Sequence, residues 1–119
     1  MSENTLQMTM LFDFFGDLLT DKQKEYFDLY HNEDLSLSEI AAGAGISRQG
    51  VHDIITRAEN TLTQLESKTG VVQKWSETRE KLAHAEELAQ NLKKLTAESP
   101  QIEKISNQLV KILSELAEK

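Results

Sequence analysis

The sequence predicts an all-α protein, a compact helical motif followed by a long two-helix extension. Three observations predict it. Apolar residues recur at spacings of three and four through most of the 119 residues. Helix-start signals recur as well, at Thr20, Ser36, Ser47 and Ser99. One proline and five glycines leave few interruptions, and each of the informative ones sits where a helix should stop or start.

In chain order, residues 5–15 read as a first helix with Leu6, Met10, Leu11, Phe14 and Phe15 on its apolar side, ended at Gly16. Thr20 with Gln23 three residues later is a capping box, a pair of side chains that each satisfy a free backbone N–H at a helix start. The helix it opens runs to about Asn32 and buries Tyr26, Phe27, Leu29 and Tyr30. Asn32-Glu33-Asp34 is a turn.

Ser36 with Glu39 is a second capping box. Ala41 is small where two helices have to cross closely, and Gly43-Ala44-Gly45 lets the chain turn with φ > 0. Ile46 is expected to point back into the core, and Ser47 caps the next helix. That helix carries Val51, Ile54, Ile55 and Ala58, then continues through Leu62 and Leu65 to Lys68, with Gly70 placed to end it. Ile40, Ala41, Gly45, Ile46, Val51 and Ile54 together form the core of a helix-turn-helix, which needs a small residue at the crossing and a tight turn after it.

The texture changes after Gly70, dividing the chain into a helix-turn-helix domain at 1–70 and an extension at 71–119. Residues 72–97 read as one helix with Trp75, Leu82, Ala85, Leu88, Ala89, Leu92 and Leu95 on a broad stripe. Ser99-Pro100 starts the last helix, with Ser as the cap and Pro in the first turn. Ile102, Ile105, Leu109, Ile112 and Leu116 follow at spacings of three and four, a narrow coiled-coil seam. The short connection allows the last helix to fold back, and the apolar surface left over suits a second subunit. A homodimer with Trp75, Leu82, Ile105, Leu109, Ile112 and Leu116 at its interface is therefore expected.

The formal net charge is −7. Residues 1–70 hold five Lys/Arg (Lys22, Lys24, Arg48, Arg57 and Lys68) against twelve Asp/Glu, so all the excess lies in the helix-turn-helix half. A tight, sequence-independent DNA binder draws its affinity from phosphate neutralisation and is basic; this composition excludes that class. Cysteine is absent, which removes disulfides, thiol chemistry and cysteine-based zinc sites and suits a reducing cytoplasm. No stretch approaches the roughly 20 apolar residues of a membrane span. His31, His52 and His84 have no carboxylate at metal-binding spacing, and no phosphate-binding glycine loop or nucleophile elbow occurs. Neither an enzyme, a metal nor a cofactor is expected.

The run LTDKQKEYFDLYHNEDLSLSEIAAGAGISRQGVHDIITRAENTL (Leu19–Leu62) resembles the promoter-reading C-terminal region of bacterial sigma factors. The FFGDLLTDKQ, SLSEIA, SRQGVHDII and RAE pieces are more specifically similar to the YlxM family, small bacterial proteins encoded beside the signal recognition particle genes. The likeness covers most of residues 8–75 and is most specific at Ile46–Asp53. It implies a sigma-region-4-like helix-turn-helix bundle with a helical extension, and a role in the signal recognition particle pathway. It places Ser47, Arg48, Gln49 and His52 where sigma-like proteins reach DNA.

The residues themselves leave two functions open. In the first, Ser47, Arg48, Gln49, His52 and Arg57 contact nucleic acid, DNA ahead of RNA; Arg can read guanine and Gln adenine. The alternative is that these are solvated polar residues at a helix start, with Arg57 paired to Asp53 four positions earlier. In the second, the acidic half meets a basic protein of the signal recognition particle pathway. The placement of the five basic residues separates the two.

Overall fold

The computed structural model describes residues 3–95 and 98–118. Its elements are α1 (Glu3–Phe15), a 3₁₀ turn (Gly16–Leu18), α2 (Asp21–His31), α3 (Leu37–Ala44), α4 (Arg48–Thr69), α5 (Val71–Leu95) and α6 (Pro100–Ala117). No strand occurs among the described residues. Thr96 and Ala97, the end of the helix expected at 72–97, lie outside them. The chain divides into two compact units, Met1–Val72 and Gln73–Lys119.

In the first unit α4 is the axis. Val51, Ile55, Ala58 and Leu62 recur at spacings of four, three and four, so they form one stripe, and all four are buried. The upper part of the stripe packs with Tyr26, Ile40 and Ala41. The lower part packs with Leu11, Phe15, Leu19, Phe27 and Val72. A fully buried side chain of this kind contributes about 1.5–3 kcal/mol, so one face of α4 holds much of the unit together.

The helix ends are set by the signals in the sequence. Both capping boxes are formed: the Gln23 and Glu39 N–H groups donate to Thr20 Oγ1 and Ser36 Oγ, while the Thr20 and Ser36 N–H groups donate to Gln23 Oε1 and Glu39 Oε1. Gly70 ends α4 at φ 62°, a conformation glycine adopts without the steric cost of a Cβ.

The apolar side of α1 differs from the expected one. Leu6 is 60% exposed and Phe14 39%, while Met8 and Phe12 join the expected Met10, Leu11 and Phe15 against the core. This lets Phe12 stack on Phe27 with centroids 4.6 Å apart and planes at 9°. On α2, Tyr30 is more exposed than expected, and His31 is buried in its stead, one turn after Phe27.

In the second unit α6 folds back on α5. Arg79 donates to the Ala117 carbonyl, and Ser114 Oγ donates to Glu86 Oε1 at 3.1 Å. The buried positions are small, Ala89 on α5 and Ser106 on α6. Val110 and Leu113, on the same side of α6 as Ser106, are half-buried. The regular seam of α6 is therefore not the face turned to α5: Ile102, Ile105, Leu109, Ile112 and Leu116 are between 40% and 61% exposed.

The α3–α4 crossing gives a direct test. Ala41 is buried against Val51 and Ile55. Ala41→Leu adds three carbon atoms at a filled position and is expected to destabilise the protein by about 1–3 kcal/mol, read as a lowered melting temperature by circular dichroism. An unchanged melt would contradict close packing at the crossing.

Candidate nucleic-acid interface

The turn between α3 and α4 fixes where the first turn of α4 points. Gly45 adopts φ 71°, and its N–H and that of Ile46 both donate to the Ala41 carbonyl, at 2.9 and 3.3 Å. The first is the 5→1 bond of the αL cap and the second a Schellman-type 6→1 bond, and together they satisfy an end carbonyl of α3 while reversing the chain. Ile46 is the residue after the left-handed glycine and lies on the outside of this turn. It is 39% exposed, so the expectation that it returns to the core is corrected. Ser47 is extended and its Oγ accepts from the Gly50 N–H at 3.0 Å.

Gly50 follows from that cap. A Cβ built there would lie 3.1 Å from Ser47 Oγ, tighter than ordinary contact. The glycine therefore leaves room for the capping hydroxyl, at a helix-propensity cost of about 1 kcal/mol relative to Ala. Gly45, by contrast, serves the motif as its turn and not as packed core.

Ser47, Arg48, Gln49, His52 and Asp53 are all exposed, on the side of α4 away from Val51 and Ile55. Among the described residues no carboxylate lies within ion-pair distance of Arg48, so its guanidinium is available. Gln49 Nε2 donates to Asp53 Oδ1 at 2.9 Å, and His52 Nδ1 lies 3.7 Å from the same oxygen. The expected Arg57–Asp53 pair is absent among the described residues, because Asp53 turns instead to Gln49, one helical turn earlier. Arg57 is nine residues from Arg48, roughly two and a half turns, and so faces the opposite side of α4. Of the remaining three basic residues in this unit, Lys22 and Lys24 lie at the start of α2, Lys24 bound to Asp17, and Lys68 lies in the last turn of α4. The five cations are scattered, and Arg48 alone belongs to the exposed first turn of α4.

His31 is the residue that sequence reading missed. Its side chain is 2% exposed, its Nε2 lies 3.0 Å from Glu59 Oε2, and its ring packs on Phe27 with centroids 4.4 Å apart. The pair ties the end of α2 to the middle of α4. The signal was there: His31 falls four residues after Phe27, on the same buried stripe. His31 and Glu59 also line a depression of about 290 Å³ with Tyr30, His52 and Thr56. No group of three or more His, Cys, Asp or Glu among the described residues is placed to hold a metal ion. No described helix is long and apolar enough to cross a membrane.

A capped short helix, a left-handed glycine turn and a second helix with an exposed first turn define a helix-turn-helix protein. Comparison with known proteins agrees. Residues 2–111 match the family model UPF0122, described as "Putative helix-turn-helix protein, YlxM / p13 like", and the chain belongs to this family. It is 40% identical over 116 residues to a UPF0122 protein of Thermoanaerobacter sp. (strain X514), covering 98% of each chain. It is 43% identical over 106 residues to one of Bacillus velezensis, covering 87% of this chain and 96% of the relative.

The cap that starts α3 makes this region sensitive to acid. Hydrogen bonds from the Ser36 backbone N–H, then its hydroxyl, hold the Glu39 carboxyl below its ordinary value of 4.5. A folded-state pKa lowered in this way stabilises above the unfolded value and is lost as pH falls through the folded one. The stability advantage of the native protein over Glu39→Ala should therefore be present at neutral pH and shrink as pH falls below about 4.5. Paired thermal melts from pH 7 to pH 3 check it; a constant difference would contradict the cap's ionic character.

Proposed function

We propose that the protein is a DNA-binding regulator that presents the first turns of α4 to the major groove in the manner of sigma-factor region 4. The observation that carries this reading is the exposed, unpaired Arg48 beside Ser47 and Gln49, at the start of the second helix of a helix-turn-helix. In this mode residues at the start of the second helix meet base edges. Arg48 then reads guanine O6 and N7 as a bidentate donor. The Gln49 amide donates to Asp53, which leaves its carbonyl oxygen to accept from an exocyclic base amine. His52 lies one turn further along the same side and Ser47 beside the phosphates, while Arg57, on the other side of α4, has no part in base reading.

Two copies reading neighbouring half-sites, as helix-turn-helix dimers do, double the few basic contacts one chain supplies. Such a protein works in the cytoplasm, in keeping with its lack of cysteine.

A second reading is favoured by charge. Residues 1–70 carry a net −7 and their cations are scattered. That distribution suits a protein-interaction factor whose acidic surface meets a basic component of the signal recognition particle pathway.

Gel-shift titration against a randomised duplex pool, with the bound fraction amplified and sequenced, separates the two. DNA reading predicts an enriched site, weakened by about 1–3 kcal/mol in Arg48→Ala. The slope of log K against log salt should be shallow, about −2 to −4 per subunit for two to four phosphate contacts. No enrichment at low salt would favour the protein partner.

A further inference from the structure

The strongest apolar pattern in the chain is turned to solvent. Ile102, Ile105, Leu109, Ile112 and Leu116 keep alternating spacings of three and four along α6, the repeat that lets one helix seat knobs in the holes of another. The face of α6 turned to α5 is a different one, centred on Ser106. The seam alone exposes on the order of 400 Å², comparable to the largest patch on a typical monomer. Leu88, Leu92 and Leu95 on α5 are exposed too, and bring the apolar surface of this unit towards the roughly 800 Å² that a standard interface takes from each partner.

We infer that this seam is a homodimer interface and that its occupant is the same seam of a second copy. The repeat is self-complementary: two identical ridges of this spacing interdigitate without a new sequence being needed. Charge permits it as well. Residues 71–119 hold eight Lys/Arg and eight Asp/Glu, so two copies meet without net repulsion, whereas the first unit at −7 would repel its like. On α6 itself, Glu103 and Glu115 are matched by Lys104 and Lys111. Gln101 and Gln108, uncharged, stand next to the seam. The inference gives the paired state invoked for DNA reading a specific surface, but it stands on this surface alone and is tested without nucleic acid.

Sedimentation equilibrium of the full chain at tens of micromolar should give the mass of a dimer. Leu109 is at the centre of the seam, so Leu109→Lys should weaken association about 100-fold and yield a monomer with native helix content. Because the chain has no cysteine, Leu109→Cys provides a second readout: mild oxidation should give a covalent dimer, since the centre of the seam meets its own copy in either helix direction. If Leu109→Lys fails to fold, the cysteine variant decides alone, its covalent dimer supporting the interface and the lack of one overturning it. A monomeric native chain, or a dimer equally tight in a folded Leu109→Lys, overturns it too. None of these results bears on whether one chain reads DNA.

Discussion

The structure depends on how closely α3 approaches α4. That approach is set by Ala41, which is buried against Val51 and Ile55, and by Gly45, whose left-handed backbone closes the turn within a few residues of the crossing. Each requires the other. A larger residue at the crossing would push the helices apart, and a residue with a Cβ at φ 71° would strain the turn. Together they determine where Ser47 can cap α4, and hence where Arg48 and Gln49 emerge. The candidate interface is a consequence of backbone geometry before it is a matter of side-chain chemistry.

The two units solve the burial problem differently. The first has a core in two clusters along one stripe of α4, with stacked Phe12 and Phe27 and the buried His31–Glu59 pair tying α2 to α4. The second buries small residues, Ala89 and Ser106, and leaves most of its large aliphatic side chains exposed. A hairpin built this way gains little from its own interior and leaves a broad apolar surface exposed.

Much of this was legible in the sequence. Capping boxes at Thr20 and Ser36, the N-caps at Ser47 and Ser99, and the left-handed glycines at Gly45 and Gly70 are local events, written in a few adjacent residues, and each is found where the sequence placed it. Features decided by distant partners were not. Phe12 faces the core because Phe27 is there to stack on, which turns Leu6 and Phe14 outward. In the sequence His31 is weighed only as a possible metal ligand, because Glu59, its polar partner among the described residues, lies 28 residues away. Ile46 looked like core, but the left-handed turn at Gly45 leaves it half outside. In the candidate interface the exposure of Ser47, Arg48, Gln49 and His52 followed from helical spacing. The capture of Gln49 by Asp53, in place of an Arg57–Asp53 pair, is a choice between equivalent one-turn neighbours that spacing alone does not make.

The central tension is electrostatic: a helix-turn-helix whose exposed first turn of α4 carries Arg48, unpaired among the described residues, set in an acidic unit. Such a protein can bind DNA only through a few well-placed contacts, which makes the location of those contacts the decisive fact. Amide hydrogen–deuterium exchange of the full chain, with and without an enriched duplex, measures that location directly. Protection concentrated in the Gly45–Ile55 segment is the predicted result. Unchanged exchange there, or protection confined to α2, would contradict the account.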